Sequence, residues 1–293
     1  MKRDMVKGYF FIIISAVIFG CMPLGAKLIY ADGINAMSLV FLRNALSIPV
    51  LAVLTKRHFG TLAPPKGAGV EITMTALAGG FITPLLLFSS FHFIPSGTAT
   101  VFHFIYPAAT VLGGVLFLRD KIRRGPAICI VICTLGIALF YDPSAPIHPV
   151  GSALALTSGL TYAAYILLLS HTHYRQVSGF KFSLYVCTLS AAAMLVICLT
   201  TKQLTLPTKA SVWVVSIIFS LVLSVGATVL FQKGALIIGG QRASILSTFE
   251  PITSLVVGFF AFHESVGFRT IIGSFLVILA AILIAIFDAK PSK

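Results

Sequence analysis

The stretch YPAATVLGGVLFLRD, residues 106–120, is matched 144 positions later by EPITSLVVGFFAFHE, residues 250–264. Each copy opens on a proline (Pro107, Pro251) and sets a hydroxyl three positions on (Thr110, Ser254). A glycine follows four beyond that (Gly114, Gly258), and an acid closes the run (Asp120, Glu264). Upstream of both, the segment from Gly8 with Ser15 and Phe19 is echoed by the one from Gly151 with Ser158 and Tyr162. The chain therefore reads as two related halves, 1–145 and 146–293.

Hydrophobic residues make up 58% of the 293 positions and charged residues 10%, against about 45–50% and about 25% in soluble domains. Mean hydropathy is +1.02. So little charge leaves the outside of a soluble globule uncovered. This excludes a soluble enzyme, a disordered scaffold and a nucleic-acid-binding module, and leaves an all-α polytopic membrane protein whose solvent is the lipid bilayer. The net charge of +13 does not point to nucleic acid, because Lys and Arg sit in connectors between apolar runs, as membrane topology requires. The five cysteines (Cys21, Cys129, Cys133, Cys187, Cys198) all fall inside apolar runs without metal-ligand spacing, and read as packing residues. No cofactor or metal is expected.

A crossing helix needs about 20 apolar residues, and backbone hydrogen bonding in lipid excludes open strands. Ten runs meet this reading: 8–30, 34–55, 70–93, 96–118, 124–141, 150–170, 180–200, 211–236, 241–262 and 267–287. Ala31-Asp32-Gly33, Pro64 to Gly67, Asp142-Pro143-Ser144 and Gly239-Gly240 punctuate them. The first run is longer than the core of a cleavable signal and reads as a retained membrane helix. With the N-terminus inside, fifteen Lys and Arg fall on the inner side; Lys202, Lys209 and Arg269 fall outside. That asymmetry predicts cytoplasmic termini in a multi-pass plasma-membrane protein. Five helices per half is an odd number, so the second half enters the membrane in the opposite sense. Inverted repeats with a site between them at the midplane are the architecture of secondary transporters.

Several stretches resemble the EamA-like, ten-helix branch of the drug/metabolite transporter superfamily. They are Phe19-Gly20 through Lys27 in the first helix, Phe41-Leu42-Arg43 in the second, and the two proline-led repeats. Departures are visible: the glycine of the family's Gly-Glu ending is Arg119 in one copy and His263 in the other, and Phe19 stands where tryptophan is common. The resemblance covers essentially the whole chain. It implies export of a small metabolite such as an amino acid or a related compound, and is weak on which one.

Charges within membrane helices are costly and mark functional positions. Arg43 lies near the middle of the second run and Glu250 about ten residues into the ninth. Lys27 and Lys233 lie closer to helix ends, where a long stem reaches the interface. Arg43 reads either as a solute ligand or as a tether between helices, and Glu250 as a proton site, a solute ligand or a brace for the kink at Pro251. His103 precedes Pro107 by four residues and shares its helix face. With Tyr106, Tyr162, Gln232 and Ser247, these residues form the expected substrate-binding set, and Asn44 and Thr83 add polar groups. One Arg and one Glu facing a shared interior favour a zwitterion or weak acid over an organic cation. Small residues at 125, 129 and 133 and at 155, 159 and 163 let helices approach closely, within the bundle or, on the fifth run, against a second copy.

An alternating-access transporter of a small polar or amphipathic metabolite is thus the leading expectation. The sequence has no Gly-x-x-x-x-Gly-Lys-Ser/Thr loop, so the driving force would be a gradient or exchange. An intramembrane enzyme, such as a lipid-modifying transferase or protease, would need a clustered nucleophile and base or metal ligands. A channel would need a filter motif or a lining ring.

Overall fold

The computed structural model describes residues 2–64, 67–94, 96–118, 124–139, 148–171, 179–262 and 267–289. The Arg119-Asp120 and His263-Glu264 endings and the break at Asp142-Pro143-Ser144 lie outside these residues. The described residues are helical apart from short connectors.

Prolines decide where the long helices break. A proline lacks an N–H and its ring clashes with the carbonyl four residues back, so it is tolerated in the first turn of a new helix. Thus α1 (Lys2–Gly20) gives way at Cys21 to α2 (Met22–Tyr30), whose second residue is Pro23. Next, α3 (Ala36–Ala45) ends before α4 (Ile48–Phe59), which begins Ile48-Pro49. Helix α5 (Gly69–Thr75) widens into a π-helical segment, Ala76–Ile82, and tightens again at Pro84 in α6 (Thr83–Ser90). Helix α7 (Ser96–His103) breaks at Phe104–Ile105 and resumes as α8 (Tyr106–Leu118).

The next three helices are continuous: α9 (Arg124–Ala138), α10 (Pro149–His171) and α11 (Gly179–Thr200). Helix α12 (Ala210–Ser220) then runs through a second π-helical segment, Leu221–Ala227, into α13 (Thr228–Ile238). After Gly239, whose φ of 85° suits glycine alone, α14 (Gly240–Leu246) breaks at Ser247–Thr248 and resumes as α15 (Phe249–Phe262). Helix α16 (Phe268–Ala289) follows. The two π segments end alike: the Thr83 N–H reaches the Ala78 carbonyl and the Thr228 N–H reaches that of Leu223, five residues back in each case.

Among the described residues, seven helical stretches are long and apolar enough to cross a membrane: Asp4–Tyr30, Ala36–Phe59, Gly69–Ser90, Thr98–Leu118, Pro149–Ser170, Gly179–Thr200 and Ala210–Ile238. Two apolar helices are shorter, Ala127–Ala138 and Ile271–Ile284. By length and composition these are the helices of a multi-pass membrane protein.

Packing crosses between the halves in a reciprocal way. Helix α1 lies against α13 and α15, while α10 lies against α6 and α8; α9 pairs with α16 and α3 with α11. Two large buried apolar clusters result, beside a third, smaller one of Leu51, Leu184, Cys187 and Val229. One includes Ile12, Tyr106, Ile166, Phe231 and Ile284, and the other Met22, Leu39, Phe88, Met194 and Phe219, with Phe19 packed against both.

Candidate functional site

A cavity opens between these clusters, with about 60 Å³ of space for the centres of water molecules, enough for several waters. Its wall takes Arg43 and His103 from the first half and Tyr162 and Glu250 from the second. Arg43 and Glu250 are the lining residues that carry formal charge. Tyr165, Phe231, Met22 and Leu87 supply aromatic and apolar wall, and Asn44, Thr83, Ser224 and Thr228 supply polar groups.

Helix breaks aim these groups. Arg43 occupies the last turn of α3, and its guanidinium carbon lies 5.9 Å from the centre of the Phe19 ring, within cation–π range. Its Nε is buried without a hydrogen-bond partner among the described residues. Glu250 sits in the first turn of α15, with its own N–H on the Ser247 carbonyl at 2.9 Å, where the half-helix dipole favours a negative group. His103 is the last residue of α7. Its Nδ1 is 2.8 Å from Ser158 Oγ, and Ser158 gives its proton to the Ala155 carbonyl at 2.6 Å. Nδ1 must then be the donor, leaving Nε2 of the neutral ring as an acceptor.

Two glycines bring helices to these breaks. A Cβ on Gly159 of α10 would collide with the His103 carbonyl, and one on Gly20 of α1 with the Glu250 carbonyl. Ser254 Oγ donates to the Gly20 carbonyl at 2.8 Å, fixing the second crossing. The small face at 155, 159 and 163 is therefore used inside the bundle.

Of the residues expected from sequence, Arg43, His103, Tyr162 and Glu250 share the cavity wall, whereas Tyr106, Gln232 and Ser247 lie behind it. Tyr106 packs its ring 4.8 Å from that of Tyr162, edge to face, and its hydroxyl is buried without a hydrogen bond. Gln232 accepts from Ser183 Oγ at 2.8 Å and donates to the Tyr165 hydroxyl at 3.3 Å, so it braces a wall residue. Ser247 donates to the Ala243 carbonyl at 2.8 Å, within its own helix. Lys27 is exposed, and Lys233 Nζ lies 4.5 Å from the Phe180 ring centre; neither reaches the cavity.

Sequence reasoning missed Tyr165, Ser224, Thr228 and Phe231. A signal for two of them was present: Ser220, Ser224, Thr228 and Gln232 recur every four residues in an otherwise apolar run.

Long apolar helices broken around an internal cavity that holds Arg43 and Glu250 on its wall define a membrane protein of the transporter class. The EamA-like transporter family matches the chain twice, over residues 6–141 and 149–286. The chain belongs to that family, within the drug/metabolite transporter superfamily. Among similar proteins is an uncharacterized transporter of Archaeoglobus fulgidus, 26% identical over 97% of both chains. The uncharacterized transporter YcbK of Bacillus subtilis is 24% identical over 92% of this chain and 90% of its own. One from Helicobacter pylori is 28% identical, the match spanning 57% of either chain. A solved crystal structure has the same fold, with a TM-score of 0.77 over 98% of both chains at 16% identity. The protein is a transporter in the general sense of its family.

Proposed function

We propose that the protein moves a small polar or amphipathic metabolite across the plasma membrane by alternating access, in the export direction. In this reading ten helices cross the bilayer as two inverted five-helix repeats, 1–145 and 146–293, with both termini in the cytoplasm. The observation that carries it is the cavity itself. Its two charged residues come from opposite halves, Arg43 from α3 and Glu250 from α15, so rocking one half against the other changes which side of the membrane reaches it.

The reciprocal packing supports the repeat: α1 meets α13 and α15 as α10 meets α6 and α8. So do the two π segments and the twofold match of the family. The small space suits a compact solute, and the aromatic wall with two charges suits one that carries both polar and apolar parts.

Counterflow in proteoliposomes tests the reading. Protein preloaded with a metabolite panel should take up a labelled member of that panel against no net gradient, and empty liposomes should not. Uptake that ignores internal solute would indicate a channel and defeat alternating access.

A further inference from the structure

The break between α3 and α4 places Arg43 and Asn44 where they touch both π-helical segments at once. Asn44 Nδ2 donates to the Val40 carbonyl at 2.9 Å and to the Gly80 carbonyl, in the first π segment, at 3.1 Å. The Arg43 carbonyl accepts Ser220 Oγ at 2.6 Å and Ser224 Oγ at 3.2 Å. Ser224 lies in the second π segment and Ser220 immediately before it. The break makes this grip available: the Ser47 N–H, which a regular helix would send to the Arg43 carbonyl, bonds the Asn44 carbonyl instead, at 3.2 Å. Two residues of the first half are thus held from one side by their own half and from the other by the second.

The side chain so held is unusual. Arg43 Nε is buried with no hydrogen-bond partner among the described residues, although a desolvated charged donor left unpaired is expensive. Nε–H together with one terminal N–H forms the side edge of the guanidinium fork, which matches the two oxygens of a carboxylate. Phe19, Tyr162, Tyr165 and Phe231 stand on the same wall and offer flat apolar surface to the rest of a solute.

The geometry points to a carboxylate as the group that Arg43 receives, on a solute with a flat apolar body, and to Ser220 and Ser224 as the positioning residues that aim Arg43. This rests on the transporter reading above, which makes the cavity the solute site. It adds what the cavity selects, and assigns a task to two serines that do not themselves bind the solute's charge.

Benzoate, neutral benzamide and the benzylammonium cation are probes of one size and differing charge. Thermal unfolding of the purified protein against each should show stabilisation by benzoate and none by the other two. Arg43→Gln should remove the benzoate effect. Ser220→Ala/Ser224→Ala should raise the apparent Kd for benzoate by about threefold to tenfold, the weight of one or two neutral hydrogen bonds. Ser220→Thr/Ser224→Thr, which keeps both hydroxyls, should restore it. Where the double alanine variant does not fold, Ser220→Ala alone carries the same test, since Ser220 holds the Arg43 carbonyl from behind the cavity wall. A merely structural role lowers the melting temperature of the empty protein and leaves the Kd unchanged; that result overturns the positioning role. Stabilisation by benzylammonium but not benzoate, or by none of the three, overturns the carboxylate class. Flux of benzoate into proteoliposomes is measured separately. Benzoate binding without flux would count against the cavity as the transport site and leave the carboxylate site standing.

Discussion

Asp32 Oδ2 accepts the backbone N–H of Thr208 at 2.7 Å while Oδ1 accepts the Thr208 hydroxyl at 3.0 Å. One carboxylate on the α2–α3 turn thereby clasps the segment that leads into α12. Asn35 Nδ2 on the Gln203 carbonyl at 2.6 Å and the Thr205 N–H on Ser38 Oγ at 2.8 Å continue the clasp. Lys209 Nζ, on an exposed side chain, stands 3.7 Å from the covered Asp32 carboxylate, and a solvated ammonium at that distance adds little.

The Thr208 amide, more than its hydroxyl or Lys209, holds the Asp32 carboxyl below the ordinary carboxylate range. A lowered value in the folded protein means the clasp is at full strength above the unfolded pKa and is lost as pH falls through the folded one. Hydrogen-exchange protection at Thr208 should therefore stay constant from neutral pH to about pH 5 and collapse in stronger acid. Asp32→Asn should weaken that protection at neutral pH and flatten the dependence. Protection at Thr208 that is the same in Asp32→Asn as in the unaltered protein at neutral pH would contradict the clasp.

Ser158→Ala should cost about 1–3 kcal/mol, the penalty for stranding a buried donor, because His103 Nδ1 loses its acceptor. Thermal or urea unfolding of the purified variant reads it. A melting temperature equal to that of the unaltered protein would mean that His103 does not depend on Ser158.

Gln232→Leu removes the partner of both Ser183 and the Tyr165 hydroxyl. Side-chain hydrogen bonds between membrane helices average about 0.6 kcal/mol, so a loss of about 1 kcal/mol in stability is expected. Solute affinity should change less than twofold, since Gln232 does not reach the cavity. An affinity change larger than that of Arg43→Gln would move Gln232 onto the solute.

Glu250→Gln keeps the size and hydrogen-bonding capacity of the side chain and removes its charge. If Glu250 is a proton site, the variant should fold, lose gradient-driven uptake and retain exchange, all read in one proteoliposome preparation. Reduced thermal stability with coupling intact would assign Glu250 to bracing the break at Pro251.

Topology is testable at two exposed positions. In a cysteine-free background, Lys56→Cys and Thr201→Cys should react with an impermeant maleimide from opposite faces of the membrane, the second from outside intact cells. Labelling of both from one face would sink the proposed orientation.

The sequence by itself determined the class and the breaks. Continuous apolar runs of crossing length satisfy their backbone in lipid as helices and not as open strands, and Pro23, Pro49, Pro107 and Pro251 each remove a donor where a helix then restarts. Arg43 and Glu250 were legible as candidates because a charge in such a run is too costly to be incidental. Only the tertiary structure decided which polar residues share a surface. Ser220, Ser224, Thr228 and Gln232 would form one stripe on a regular helix, yet two grip the Arg43 carbonyl, two line the cavity with Ser224 doing both, and Gln232 turns behind Tyr165. The π segment Leu221–Ala227 is the reason. An α-helix advances about 100° per residue, so one extra residue in a turn rotates everything beyond it onto another face. Whether a helix takes that extra residue depends on what it packs against, and neighbours brought from the other half of the chain leave no mark in the local pattern of residues.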